Sequence, residues 1–167
     1  MTTSADPILN PSWRLVLSRP AHFIAFGFGV GKSPVAPGTL GTLLAFPLYS
    51  LIGPRLDPVP FLMLIGILFA IGVWACGRTG EFLRAPDHGG MVWDEVVAFL
   101  LVLFFTPPDL LWQAFAFLLF RLFDVLKPPP IRYCERTIPG GLGVMADDMI
   151  AAFYTLLVLA LWKTVVT

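Results

Sequence analysis

Five apolar stretches, separated by short polar or proline-rich breaks, set the pattern of this chain. They cover about residues 39–52, 59–76, 92–105, 109–126 and 147–165. Each is longer than an ordinary strand, so the runs read as helices. Gly53-Pro54 and Thr106-Pro107-Pro108-Asp109 interrupt them, because a residue ahead of proline is pushed out of the α region. A polar segment at 77–90 carries Arg78, Glu81, Arg84, Asp87 and His88, and 127–145 reads as a second polar loop. Residues 31–39 form a Gly/Pro-rich loop ahead of the first run. Residues 1–20 read as a polar tail with an amphipathic piece at 13–17 suited to a membrane surface, and 21–167 as one helical domain.

Composition moves this all-α pattern toward lipid. Of 167 residues, 57% are hydrophobic and 13% charged, with a mean hydropathy of +0.81. A soluble domain carries about 25% charged residues. The second run is long enough to cross a hydrocarbon core, whereas the third is short for a span. The expected architecture is a membrane-embedded bundle of about four to five apolar helices. Net charge is zero, which gives a nucleic-acid partner no electrostatic support. Cys76 and Cys134 form neither a metal-type pair nor a CxxC. The tail lacks the apolar core of a signal peptide.

If the five runs alternate across the membrane, Arg14, Arg19, Lys32, Arg78, Arg84, Arg121, Lys127, Arg132 and Arg136 share one side. Only Arg55 and Lys163 fall on the other. The positive-inside rule makes the crowded side cytoplasmic. Runs one, three and five then begin there, with free N–H groups at their positive ends beside glycines, a setting for a phosphate.

Six acids gather on that face: Asp87, Asp94, Glu95, Asp124, Asp147 and Asp148. A carboxylate at a membrane edge is costly unless paired or metal-bound. Oxygen ligands from several helices suit a hard cation such as Mg²⁺. Lys32, Arg121, Lys127 and Arg132 are the cations placed to hold a phosphate. Arg121, Asp124 and Lys127 recur every third residue, so they share one flank of a helix that prolines 128–130 stop. Plainer readings stand beside these. Asp94 or Asp147 serves equally as an N-cap, Arg121 with Asp124 as a structural ion pair, Arg132 and Arg136 as a basic headgroup-binding loop. His88 reads as a loop residue and Glu81 with Arg84 as a solvated pair.

Four motifs in order resemble the bacterial phosphatidylglycerophosphatase A family. They are Gly38-Thr39-Leu40-Gly41-Thr42, Asp87-His88-Gly89-Gly90-Met91-Val92-Trp93-Asp94-Glu95, Phe120-Arg121-Leu122-Phe123-Asp124-Val125-Leu126-Lys127-Pro128 and Gly140-Gly141-Leu142-Gly143-Val144-Met145-Ala146-Asp147-Asp148. Thr42 stands where a serine is frequent and Pro129 where an aromatic is common. The resemblance implies an all-α enzyme of the bacterial inner membrane. It implies removal of the terminal phosphate of phosphatidylglycerophosphate, giving phosphatidylglycerol, with Mg²⁺ required.

Carried onto these positions, the expected catalytic residues are Asp94, Glu95, Asp124 and Asp148. The expected metal ligands are Asp94, Glu95, Asp124, Asp147 and Asp148. The expected phosphate contacts are Lys32, Thr39, Arg121, Lys127 and Arg132. Water is the preferred nucleophile, since the chain lacks a DxDx(T/V) signature, a cysteine-phosphatase loop and a histidine-based lipid phosphatase pattern. A nucleotide-lipid transferase would need an Asp-Gly-Ala-Arg type motif, which is missing. A lipid-binding or transport subunit with an ion site would place charges near helix midpoints rather than ends.

Overall fold

Proline and aspartate mark where the helices begin. In the computed structural model, which describes residue 8 and residues 10–166, every regular element is helical. In chain order these are α1 (Trp13–Ser18), α2 (Pro20–Ala25), α3 (Pro37–Ile52), α4 (Pro58–Leu83), α5 (Trp93–Phe105), α6 (Leu110–Leu126), α7 (Ile131–Thr137) and α8 (Gly140–Val166). Pro20, Pro37 and Pro58 take first-turn positions, where a missing N–H is harmless. Asp109 caps α6 by accepting from the N–H groups of Leu111 and Trp112.

The shortest of the apolar runs is the core. From Trp93 to Leu103 every residue of α5 except Glu95 is buried, and α3, α4, α6 and α8 pack around it. A helix apolar on all sides must be enclosed. At 13 residues, α5 is about 20 Å long, short of a hydrocarbon core of about 30 Å. Its Phe99 meets Phe46, Phe117 and Phe120, and Phe61 of α4 stacks on Phe104 with centroids 5.0 Å apart. Each fully buried side chain of this size contributes about 2 kcal/mol. The Trp93 indole N–H donates to the Leu68 carbonyl at 3.1 Å and fixes α5 against α4.

Among the described residues, two helices are long and apolar enough to cross a membrane: α4, of 26 residues, and α8 from Gly140 to Val165. That is fewer than the sequence pattern suggests. α3, α5 and α6 have 16, 13 and 17 residues, and α5 is buried from Trp93 to Leu103 except at Glu95. α4 and α8 run antiparallel. A Cβ on Gly141, in the first turn of α8, would lie 1.9 Å from the Val73 carbonyl oxygen of α4. Only glycine permits that approach.

Several boundaries differ from the sequence pattern. α8 starts at Gly140 rather than near 147, because Gly140-Gly141-Leu142-Gly143 is not a loop but the turn that seats α8 on α4. Asp147 and Asp148 thus lie two turns into the helix, beyond the reach of its N-terminal dipole. α4 continues past 76 to Leu83 and ends where Arg84 turns left-handed at φ 55°. The exposed ion pair there is Arg78–Glu81, at 3.9 Å, not Glu81 with Arg84. Residues 131–137, read as loop, form α7. In the expected tail, residues 1–7 and 9 lie outside the described residues. The piece at 13–17 is the short helix α1, whose Val16 is buried in the core.

Candidate active site

Four helices and one loop meet over a cavity of about 520 Å³ at the end where α4 finishes and α8 begins. α5 supplies Asp94 and Glu95 from its first turn, and α8 supplies Asp147 and Asp148. The end of α6 supplies Arg121, Asp124 and Lys127. The start of α3 supplies Gly38 and Thr39, and the loop before α5 supplies Asp87. α3 enters through Ala36, held left-handed at φ 45°. Its Gly38 backbone lies so close that an added Cβ would sit 2.2 Å from Glu95 Oε1.

The carboxylates sort into three groups. One oxygen each of Asp94, Glu95 and Asp148 lies within 4.8 Å of the others. Asp94 Oδ1, Glu95 Oε2 and Asp148 Oδ2 are buried and have no hydrogen-bond partner. Three uncompensated buried oxygens are unfavourable. Converging as they do, with oxygen donors only, they fit a hard divalent cation.

The second group already has its cation. Lys127 Nζ lies 2.7 Å from Asp147 Oδ2, 3.1 Å from Glu135 Oε1 and 4.0 Å from Asp87 Oδ2. Burial works against the lysine charge, but the hydrogen bonds and attraction of Asp147, with Glu135 and Asp87, outweigh it and raise its pKa. Burial likewise raises the Asp87 pKa, Lys127 opposes this, and Glu135 and Asp124 add to it. Lys127 is itself left-handed, at φ 43°. A lysine held there costs about 1 kcal/mol relative to glycine. The ion cluster holds it in place.

The third group centres on Arg121. Its Nη1 lies 2.5 Å from Asp124 Oδ2 and 3.6 Å from Glu95 Oε1, and donates to Thr42 Oγ1 at 3.4 Å. Thr42 donates in turn to the Gly38 carbonyl. Arg121 thus ties α6 to α3 and α5 at the cavity edge.

These contacts separate residues that spacing had pooled. Of the five expected metal ligands, Asp94, Glu95 and Asp148 come together. Asp124 pairs with Arg121 and Asp147 with Lys127. Thr39, Arg121 and Lys127 line the cavity, but Lys32 and Arg132 do not. Lys32 donates to the Pro11 carbonyl at 2.6 Å, and Arg132 reaches back to the Leu126 carbonyl at 3.2 Å. Glu135 carries no signal in the sequence, because α7 has one buried residue, Ile131, and seven residues carry too little periodicity to reveal a helix.

The sequence model of the phosphatidylglycerophosphatase A family matches residues 23–163, which include every group in this cavity. The chain belongs to that family. A phosphatidylglycerophosphatase A of Haemophilus influenzae is 41% identical over 155 residues, covering 89% of this chain and 92% of the relative. That of Escherichia coli K12 is 41% identical over 140 residues, covering 83% and 80%. A Bacteroides thetaiotaomicron protein with the provisional name phosphatidylinositol-3-phosphatase is 36% identical over 157 residues, covering 86% and 93%. No solved structure matches the chain. Against the family pattern the two departures are mild. Thr42 keeps the hydroxyl that Arg121 reaches, and Pro129 presents its backbone carbonyl to the Tyr154 hydroxyl at 2.8 Å.

Proposed function

We propose that this protein hydrolyses the terminal phosphomonoester of phosphatidylglycerophosphate at the cytoplasmic face of the bacterial inner membrane, with Mg²⁺ held by Asp94, Glu95 and Asp148. Family membership supports the reaction. The observation that carries the site is its charge. Six acids line the cavity against two cations, Arg121 and Lys127, and both cations are already engaged by acids. A phosphate dianion entering such a cavity needs further positive charge, and the three unpartnered oxygens supply a place for it.

A divalent cation there would neutralise phosphoryl charge and lower the pKa of a nearby water. The chain's own groups do the rest. Arg121 and Lys127 meet the phosphoryl oxygens as charge-assisted donors, while Asp124 and Asp147 hold those cations in position. Thr39 and the first N–H groups of α3 add neutral donors on the facing wall. Water attack remains the preferred route over an aspartyl-phosphate.

The membrane setting rests on α4 and α8 and on the cations. α4 is about 39 Å long at 26 residues, and its exposed side carries Val59, Leu62, Met63 and Ile67. Arg55 and Lys163 lie at the end away from the cavity, and Arg78, Arg84, Lys127 and Arg136 at the cavity end. The remaining helices complete a bundle around α5, partly immersed rather than spanning one by one.

The test is phosphate release by purified full-length protein from phosphatidylglycerophosphate, phosphatidic acid and phosphatidylinositol-3-phosphate, with and without Mg²⁺. The reading expects Mg²⁺-dependent turnover with phosphatidylglycerophosphate preferred, and a loss of at least about 100-fold in Asp148→Asn. Near-normal turnover of Asp148→Asn and Asp94→Asn would remove the metal site. Preference for another substrate would remove the assignment.

A further inference from the structure

A second pocket, largely apolar but rimmed by Arg19, Arg78 and Glu81, lies between α2 and α4 and shares no lining residue with the acid cavity. Its volume is about 610 Å³. Trp74, Arg78 and Phe82 are spaced by four residues, so they form one stripe along the last turns of α4. Arg19 and His22 face them from the start of α2. The Arg19 guanidinium sits 5.5 Å from the centre of the Phe82 ring. The His22 ring packs on the same Phe82 ring, with centroids 5.0 Å apart.

His22 is 1% exposed, and its Nε2 has no hydrogen-bond partner. Its Nδ1 lies 3.0 Å from Thr79 Oγ1. Thr42, Thr106 and Thr155 each donate back to their own helix, four residues earlier. Thr79 makes no such bond and pairs with His22 Nδ1 instead. Burial, with Arg19 nearby, lowers the His22 pKa and keeps the ring neutral. His22 thus forms part of the pocket wall, with Arg19 and Arg78 lining the same space. The arginines favour an anion with several oxygens. Glu81 on the rim meets Arg78 at 3.9 Å with both side chains largely exposed, a screened contact that leaves Arg78 mobile.

Depth selects the kind of anion. A hydrocarbon core of about 30 Å takes about 20 residues of helix. Counted from Pro58, α4 leaves the core near Arg78, and Trp74 lies one turn inside it. Trp74 and Phe82 are exposed to 49% and 43%, as aromatics at a membrane interface are. We propose that this pocket is a second lipid site, which holds the phosphodiester headgroup of an anionic phospholipid against Arg19 and Arg78, with the acyl chains descending past Trp74. It rests on α4 lying in the membrane, and not on the identity of the substrate.

The experiment uses full-length protein in phosphatidylcholine vesicles that contain a minority of phosphatidylglycerol, with one lipid or the other brominated on its acyl chains. The chain has five tryptophans, so the Trp74 component is taken by difference from Trp74→Phe. Brominated phosphatidylglycerol is expected to quench that component beyond its share of the bilayer. Arg19→Gln and Arg78→Gln should each weaken the preference about fivefold, and Arg55→Gln, at the opposite membrane face, should not. In the wild type, the His22 ring resonances should shift with phosphatidylglycerol but not with inorganic phosphate, because His22 lines the pocket. Unchanged preference in the double arginine variant overturns the site, as does an equal shift from inorganic phosphate. If neither brominated lipid quenches, α4 is not in lipid and the proposal falls with the membrane reading, whatever the hydrolysis assay shows.

Discussion

Replacing Gly38 with alanine separates catalysis from stability in this fold. The new Cβ would meet Glu95 Oε1 at 2.2 Å and both terminal nitrogens of Arg121 at 3.2 Å. All three atoms end long side chains, so they yield before the backbone does. Glu95 Oε1 must retreat by about 1 Å to reach ordinary contact distance. Alanine in a helical turn gains about 0.5–1 kcal/mol over glycine, and an off-rotamer Glu95 costs about as much. Net stability should therefore stay within about 1 kcal/mol, a shift of a few degrees in Tm. The carboxylate trio, however, loses its geometry, and a misplacement of about 1 Å costs about 100-fold in rate. The assay is phosphate release from phosphatidylglycerophosphate across a Mg²⁺ series, with a melt on the same preparation. We expect a near-native melt, turnover lower by about 10- to 100-fold, and a higher Mg²⁺ requirement. Full activity would refute the role of Gly38, and so would a variant inactive because it is unfolded.

Gly141→Ala should behave in the opposite way. Its Cβ would meet the Val73 carbonyl oxygen at 1.9 Å and the Gly77 nitrogen at 2.6 Å, which are backbone atoms, so α4 and α8 must part. A loss of about 3 kcal/mol or more, read by thermal melting in detergent, is expected. At position 127, glycine should be more stable than alanine by about 1 kcal/mol, since φ is 43° there, while both lose the bridge among Asp147, Glu135 and Asp87. Equal melts would refute the strain. Because the folded state raises the Lys127 pKa, its contribution is complete below the ordinary lysine value of about 10.4 and is lost as pH rises past it. Wild-type Tm should thus fall above about pH 10 more steeply than that of Lys127→Met, and parallel curves there would refute the linkage.

The apolar runs and their proline breaks made an all-helical chain legible. Their alternation also put Arg78, Arg84, Lys127 and Arg136 at one end of the bundle and Arg55 and Lys163 at the other. Motif order pooled Asp94, Glu95, Asp124, Asp147 and Asp148 in one site, without separating the three that converge from the two that pair with cations. Ambiguity entered where one residue type serves two physical ends. Glycine suits both a phosphate loop and a tight helix crossing, and at Gly141 the second use holds because the Val73 carbonyl stands in the way of any side chain.

Packing decided what spacing left open. A run of apolar residues does not say whether lipid or protein will cover it. For α5 the answer is protein, because four helices enclose it. Spacing places Arg121, Asp124 and Lys127 on one flank, but partner choice depends on elements distant in the chain. Glu95 and Thr42 draw Arg121 inward, and Asp147 and Glu135 claim Lys127. With Asp124, Asp147 and Glu135 spent on cations, one oxygen each of Asp94, Glu95 and Asp148 is left without a partner. Composition fixes how many charges the chain carries. Which of them remain unmatched is settled only when the helices meet.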